Sequence, residues 1–165
     1  MNSLSRYWLN KRHREVRKIL PNHGTCLDLG AGGNPIWDTC VTVDVTGCPN
    51  VKASALNLPF QENTFDRIFC LEVIEHFHNH NVFYEEIKRV LKLEGMFVIT
   101  TPVDNIFWHV LWYLWSRTFG RKWLHSHNKD FNVSELMKSF KIVIYKKINW
   151  RCLRLIVGIN ENRTN

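Results

Sequence analysis

The sequence predicts an α/β fold in which a mostly parallel sheet ends in an antiparallel pair of strands. Two continuous apolar runs of strand length, residues 66–71 and 95–101, flank a stretch with helical periodicity, an order typical of a parallel crossover unit. Runs that are apolar at every position are expected where helices cover both faces of a parallel sheet. Near the end of the chain, two further β-rich runs lie only three residues apart. Because a parallel crossover needs about a dozen residues, these two strands must be antiparallel.

The residue pattern in the first third of the chain predicts one helix followed by short strands. Over Ser5–Leu20, apolar side chains alternate with arginine and lysine at helical spacing, and the pattern ends before Pro21. Three short apolar runs follow, of which the third is the weakest: residues 25–29, 40–45 and 51–53. A glycine cluster stops the first run, and Asp44 lies at the end of the second.

The residue pattern in the rest of the chain predicts two helices and the antiparallel pair of strands. Val82–Leu93 is expected to be helical because its apolar and charged side chains fall on opposite faces. Ser134 is placed to cap a helix over residues 135–140. The antiparallel strands are expected over Lys141–Ile148 and Cys152–Ile159. Since no linker or internal repeat interrupts these elements, we expect one domain over residues 1–165 with an N-terminal helix within residues 1–21.

The composition favours a globular protein with anionic partners. The chain is 45% hydrophobic, and its 22 lysine and arginine residues exceed its 15 acidic residues by +7. Five scattered cysteines include no Cys-x-x-Cys pair, which argues against a disulfide framework and a thiolate zinc site and favours the cytoplasm. The N-terminal segment lacks the apolar region of a signal peptide. The longest apolar stretch, Ile106–Trp115, is ten residues long, half of the roughly 20 that a membrane span needs.

The most informative motif is the glycine-rich segment Leu27–Pro35 at the end of the first predicted strand. Glycines there allow a tight turn and a close approach of a ligand to the backbone, although a glycine turn without a ligand is the alternative. A dinucleotide site would have a third glycine at the position of Pro35. Asp44 is placed to accept hydrogen bonds from ribose hydroxyls. Only eleven residues separate Gly32 from Asp44, so the helix that usually joins such strands must be very short or replaced by a loop.

Six motifs in register resemble the Rossmann-like, class I S-adenosylmethionine-dependent methyltransferases. They are LDLGAGGNP, VDV around Asp44, ASALNLPF, TFDRI, EVIEHF and EIKRVLKLEGMFVITTP. The branch that the chain resembles has an LPF loop, an acidic residue on the second strand and an E-V-x-E-H motif after the fourth strand. The resemblance covers residues 14–140. It implies a doubly wound, mostly parallel sheet that ends in the antiparallel pair.

The resemblance also implies cofactor-binding residues. They are Asp28, Gly30, Gly32, Asp44, Ser54, Ala55, Leu56 and Glu72. The first three would line the methionine part of S-adenosylmethionine, Asp44 would hold the ribose, and the segment around Ala55 would meet the adenine ring. Ser54 stands where many relatives have an aspartate, and a hydroxyl is a weaker acceptor than a carboxylate. Because Asn34 also replaces a glycine of the motif, a non-catalytic S-adenosylmethionine-binding module remains an alternative.

The candidate catalytic residues are Glu75, His76 and His127. Glu72, Glu75 and His76 follow the fourth strand at i, i+3 and i+4, so they would share one face if this segment were helical. One alternative is a general base, needed only for an acceptor that loses a proton. Another is a divalent metal site completed by His125 or His127, as in the ubiquinone-pathway and small-RNA 2′-O-methyltransferases that this motif resembles. We favour a third interpretation, in which these residues shape the cofactor pocket, and assign no metal ligand.

Residues 104–124 are expected to form an aromatic insertion for substrate recognition or a lid. Four of the seven tryptophans lie there: Trp108, Trp112, Trp115 and Trp123. Burial against the sheet and peripheral contact with a membrane through residues 106–123 are equal alternatives. Nucleic acid explains the positive charge less well, because no RNA-binding module is recognisable and the basic residues concentrate in the first helix and the tail.

The sequence therefore predicts a cytoplasmic methyltransferase, membrane-peripheral in one alternative, with a small-molecule or lipid-like methyl acceptor. S-adenosylmethionine would be its cofactor, and S-adenosylhomocysteine would be released as product. The alternatives are an RNA or other nucleic-acid methyltransferase and the non-catalytic module.

Overall fold

The computed structural model describes residues 3–103, 133–149 and 152–161. The predicted aromatic insertion, His125 and His127 lie outside these ranges. The helices are α1 (Ser3–Ile19), α2 (His80–Val90) and α3 (Val133–Ser139), with a 3-10 turn at Ile74–His76. The strands are β1 (Cys26–Leu29), β2 (Val41–Asp44), β3 (Val51–Lys52), β4 (Phe65–Leu71), β5 (Leu91–Pro102), β6 (Lys141–Ile148) and β7 (Leu153–Ile159).

Seven strands form a sheet in the order β3-β2-β1-β4-β5-β7-β6. The first five strands in this order are parallel to one another, and β7 runs antiparallel to both β5 and β6. This arrangement confirms the predicted α/β fold with an antiparallel pair at the end of a mostly parallel sheet. The carboxyl ends of β1, β2, β4 and β5 consequently meet at one edge, where ligands bind in folds of this kind.

Helices cover both faces of the sheet. One core lies against α2 and α3 and includes Leu29, Ile68, Phe83, Ile99 and Leu136. The other lies against α1 and includes Val16, Leu20, Phe69, Val98 and Val157. Neighbouring residues of one strand, such as Ile68 and Phe69, are therefore both fully buried on opposite faces, which explains the continuous apolar runs. Each such side chain contributes about 1.5–3 kcal/mol by its burial.

Both boundaries of one predicted helix and the predicted N-cap of another are wrong. The helix expected over Val82–Leu93 ends at Val90, because Leu91 takes an extended backbone and pairs with Phe65 at the start of β5. This helix instead begins at His80, where the Asn79 side chain accepts hydrogen bonds from two backbone N–H groups. Ser134 lies within α3 and is not its N-cap.

The argument against disulfides is wrong for one pair of cysteines, because Cys26 and Cys40 form a disulfide. Leu27 is the partner of Val41 in the parallel pairing of β1 and β2. Cys26 and Cys40 each precede these residues by one position, so the strand register places them side by side with their Cα atoms 4.7 Å apart. Scattered positions in the sequence did not reveal this adjacency.

In the part of the chain that the structure describes, no helix is both long and apolar enough to span a bilayer.

Candidate functional site

The glycine loop, residues 30–40, joins the carboxyl end of β1 to the start of β2 without a helix, as the short spacing predicted. Its first residues are hydrogen-bonded to the end of β2. The Gly30 N–H donates to the Val43 carbonyl oxygen at 2.7 Å, and the Gly32 N–H donates to Asp44 Oδ2 at 3.1 Å. These two bonds fix the start of the loop against the carboxyl end of β2.

The glycines of this loop are required for two different reasons. Gly30 has φ +70°, and a Cβ there would lie 2.2 Å from Cγ2 of Val73, so both backbone and packing exclude a side chain. Gly33 has φ +85°, but a Cβ there would meet nothing within 4 Å. Its backbone therefore requires glycine while the space above it is empty. A ligand can approach the backbone at this point.

Asp44 lies beside a cleft of about 250 Å³ whose lining includes Gly33, Thr42 and Asn50. Its Oδ1 accepts hydrogen bonds from the N–H and the hydroxyl of Thr46, at 2.9 and 3.0 Å, and its Oδ2 accepts one from Gly32. A carboxylate has about four acceptor positions, so three are filled and one on Oδ2 is left. Asp44 thus shapes the loop and can still accept a hydrogen bond from a hydroxyl in the cleft.

Asp28 is buried beneath the same loop, with 2% of its surface exposed. Its Oδ2 accepts a hydrogen bond from the Ile36 N–H at 2.7 Å. Burial raises the pKa of Asp28 to about 7, although the Ile36 bond and the Arg12 charge oppose this shift. The contacts of Asp28 therefore hold the glycine loop, and its contact with a cofactor stays a prediction.

The predicted adenine-side residues form a turn next to Asp44. The Ala53 N–H donates to the Asp44 carbonyl oxygen at 3.2 Å, which brings this turn to the end of β2. Ser54 accepts from the Leu56 N–H through its hydroxyl and from the Asn57 N–H through its carbonyl. One of the two acceptor positions of the Ser54 hydroxyl is therefore occupied within the turn. Ala55 is buried and Leu56 is half-buried.

A pair on α2 that the sequence analysis did not single out holds the segment after this turn. Arg89 donates to the Leu58 and Phe60 carbonyl oxygens at 2.9 and 2.7 Å. Glu86 accepts from the Leu58 N–H at 2.6 Å and forms an ion pair with Arg89 at 2.6 Å, which lowers the pKa of Glu86. The only sequence signal was an acidic and a basic residue three positions apart on one helix. Such pairs usually lie in solvent.

The expectation that Glu72, Glu75 and His76 share a helical face is wrong. Only Ile74–His76 form a 3-10 turn, and Glu72 precedes it with a left-handed backbone, φ +61°. The Glu72 N–H donates to the Thr100 carbonyl oxygen at 2.8 Å, so the backbone is tied to β5 before the turn begins. As a result Glu75 is buried and His76 is exposed.

Arg12 of α1, which the sequence analysis placed on a basic helix face, reaches this segment. Its Nη1 lies 3.1 Å from Oε1 of Glu72. Its buried Nε has no hydrogen-bond partner among the residues described. The ion pair attaches the first helix to the end of β4, where it borders the glycine loop. A basic residue on an amphipathic helix carries no local signal of such a contact.

Glu75 is a buried carboxyl group with one oxygen that has no hydrogen-bond partner among the described residues. Only 4% of its surface is exposed, and Oε2 has no partner among the described residues. Burial raises the pKa of Glu75 to about 8, and the neighbouring Glu72 charge adds to this effect. Glu75 is therefore mostly protonated at neutral pH.

No group of three or more metal-binding side chains occurs within residues 3–103, 133–149 and 152–161.

A family model described as a methyltransferase domain matches residues 17–99. The uncharacterized methyltransferase YcgJ of Bacillus subtilis is 31% identical over 107 residues, which cover 48% of this chain and 42% of that protein. The chain spans less than half the length of the curated relatives that it matches.

Solved structures share the fold at lower identity. A protein of Pyrococcus horikoshii has a TM-score of 0.73 and 17% identity, with 96% of this chain and 92% of that chain covered. A Burkholderia thailandensis 1,6-didemethyltoxoflavin N1-methyltransferase, with bound 1,6-didemethyltoxoflavin and S-adenosylhomocysteine, has a TM-score of 0.65 and 15% identity. That comparison covers 94% of this chain and 81% of that chain.

Proposed function

The chain belongs to the methyltransferase domain family, and we propose that it transfers a methyl group from S-adenosylmethionine to a small-molecule or lipid-like acceptor. The arrangement of Asp44 and the glycine loop carries the proposal. It combines an acidic residue that has one acceptor position left with backbone at Gly33 that is open to a ligand. The S-adenosylhomocysteine in the Burkholderia neighbour supports this choice of cofactor.

The residues present suit this cofactor. Asp44 would accept from the ribose, Gly32 and Gly33 would leave room for the methionine part, and the Ser54 turn would border the adenine. When bound, S-adenosylmethionine supplies a methyl group on a positively charged sulfur, which is already activated for displacement. The protein then contributes mainly alignment and the exclusion of water.

Of the two candidate bases within the described part of the chain, His76 suits an acceptor that must lose a proton better than Glu75 does. The pKa of Glu75, about 8, leaves it protonated at neutral pH, so it cannot accept a proton there. His76 is exposed at the edge where the ends of β4 and β5 meet. We therefore assign Glu75 to the wall of the pocket and His76 to any deprotonation of the acceptor.

The cofactor proposal is tested by calorimetry with S-adenosylmethionine and S-adenosylhomocysteine. The wild-type protein should bind both. Asp44→Ala should weaken binding about 10- to 100-fold, because a hydrogen bond to a charged group contributes about 1.5–3 kcal/mol.

Asp38→Ala is the matched control, since Asp38 lines the same cleft but its side chain forms no hydrogen bond with any residue that the structure describes. It should change the affinity less than about threefold, below the loss of one net hydrogen bond. A wild-type protein that binds neither compound would contradict both the catalytic and the non-catalytic form of the proposal. Binding without methyl transfer to any acceptor would favour the non-catalytic module.

A further inference from the structure

Two positively charged residues face each other across the antiparallel pair at the end of the sheet. Lys147 on β6 is the register partner of Arg154 on β7. Directly opposed residues of antiparallel strands have Cα atoms about 5 Å apart, and like charges in this position destabilise the sheet. The pairing therefore has an energetic cost unless an anion lies between the two side chains.

Other lysines of the same edge strand have acidic partners. Lys141 lies 2.6 Å from Glu161, and Lys146 lies 3.9 Å from Glu15 on α1. Lys147 and Arg154 form no ion pair with any residue that the structure describes. Lys147 is exposed and Arg154 is half-buried, so an anion from solvent can reach both.

The pair lies at the edge of the sheet where methyl transfer is proposed. Arg154 is opposite Thr101, near the carboxyl end of β5, so Thr101, Arg154 and Lys147 form one row across three strands. Strands are about 4.8 Å apart, which places Arg154 about 10 Å and Lys147 about 15 Å from the end of β4. These distances are within the length of a small acceptor molecule whose reacting atom lies near the ends of β4 and β5.

The side chains of this row point to the α2 and α3 face. Ile156, two residues after Arg154 on β7, belongs to the core on that face, and side chains of a strand alternate between faces. Asn149 lies two residues after Lys147, in the turn between β6 and β7. Asn149 is 4% exposed, and neither atom of its amide has a hydrogen-bond partner in the described part of the chain.

We propose that Lys147 and Arg154 bind a carboxylate or phosphate group of the methyl acceptor, an inference that rests on the proposed function. The Arg154 guanidinium can donate two parallel hydrogen bonds to such a group, and Lys147 adds a second positive charge. The acceptor is accordingly an anion, and its anionic group lies on the β6 and β7 side of its reacting atom.

The test compares a site variant with a control of equal charge. Lys147→Gln with Arg154→Gln removes the pair, whereas Arg6→Gln with Arg14→Gln removes two exposed charges from α1. Inorganic phosphate and acetate are titrated at constant ionic strength, and the melting temperature and backbone amide NMR shifts are recorded. Both anions should raise the melting temperature of the wild type and the control. Neither should affect the site variant.

A response to phosphate without one to acetate would favour a phosphate ester as the acceptor class, and a clear response to acetate would favour a carboxylate. Arg154→Lys keeps the charge but not the two parallel hydrogen bonds, and it should retain a response with at least threefold weaker affinity. Equal responses of the site variant and the control would overturn the proposal. Calorimetry with S-adenosylmethionine on the same proteins tests the proposed function separately, since the site variant should bind it as the wild type does.

Discussion

Glu75 differs from Asp44 and Glu72 because it is buried and one of its carboxyl oxygens has no partner among the described residues. Asp44 accepts three hydrogen bonds and Glu72 pairs with Arg12, so both have groups that stabilise their charge. The Oε2 atom of Glu75 has no partner among the described residues, and burial raises the pKa of this residue to about 8. The raised pKa of Glu75 thus follows mainly from its burial.

Glu75 should lower the stability of the protein as the pH rises. Between its unfolded pKa of 4.5 and its folded pKa of about 8, the unfolded chain has released the proton while the folded protein retains it. The free energy of unfolding should therefore decrease with pH across this window. Glu75→Gln removes this dependence, so the variant should match the wild type near pH 4 and exceed it by on the order of 4 kcal/mol at pH 8.

Urea unfolding of both proteins at several pH values measures this difference. Glu85→Gln, an exposed acidic residue on α2, is the control and should leave the pH dependence unchanged. A difference between the Glu75 variant and the wild type that is constant with pH would show that Glu75 ionises normally in the folded protein.

At the scale of elements, α2 positions the segment that follows the Ser54 turn. Arg89 and Glu86 together satisfy three backbone groups of Leu58 and Phe60. The helix itself is held by its apolar face against the sheet, with Phe83, Ile87 and Val90 buried. Because the helix is fixed against the sheet, these side chains also fix the segment after the Ser54 turn, which has little regular structure of its own.

Arg89→Ala should weaken S-adenosylmethionine binding about tenfold, because two carbonyl oxygens of the loop lose their donors and Glu86 loses its charge partner. The free energy of unfolding should fall by about 1–3 kcal/mol. Calorimetry and urea unfolding measure the two effects. Lys88→Ala removes the neighbouring charge of the same helix and should change neither by a comparable amount. If the two variants behave alike, the loop does not depend on Arg89.

At the scale of the whole molecule, the positive charge is divided among surfaces with different partners. Glu15 compensates Lys18 and Lys146, which lie on α1 and β6. Arg17 donates to the Ile36 carbonyl oxygen and lies 4.8 Å over the Trp37 ring, so it secures the glycine loop. Some of the basic residues behind the net charge of +7 thus stabilise the fold. The net charge therefore does not by itself indicate that the protein binds nucleic acid.

The aromatic insertion supplies a prediction about membrane contact, which rests on sequence because residues 104–132 lie outside the described structure. If residues 106–123 lie at a membrane surface, the protein should sediment with vesicles that contain phosphatidylglycerol at low salt. Trp112→Ala with Trp115→Ala should abolish this binding, whereas Tyr7→Ala, an exposed aromatic residue of α1, should preserve it. Absence of sedimentation by the wild type would favour burial of the insertion and a water-soluble acceptor.

The sequence by itself determined the α/β class, the order of the elements, the place of Asp44, and that the connection after the glycines is a loop or at most a very short helix. Each depends on neighbours within a few positions: apolar runs of strand length, helical periodicity, a glycine cluster, or an acidic residue at a strand end. The wrong boundaries at Leu91 and Ser134 arose where strand pairing or the local backbone overrode the pattern.

Only the tertiary structure decided which distant residues meet. Arg12 and Glu72 are sixty positions apart, and Cys26 and Cys40 become neighbours only through the register of β1 and β2. The opposition of Lys147 and Arg154 likewise depends on the pairing of their strands. The protonation of Glu75 follows from burial, which no residue type specifies. These features determine which charged groups of the site have partners. Only the folded chain sets them, because electrostatic energies depend on distance and solvent exposure.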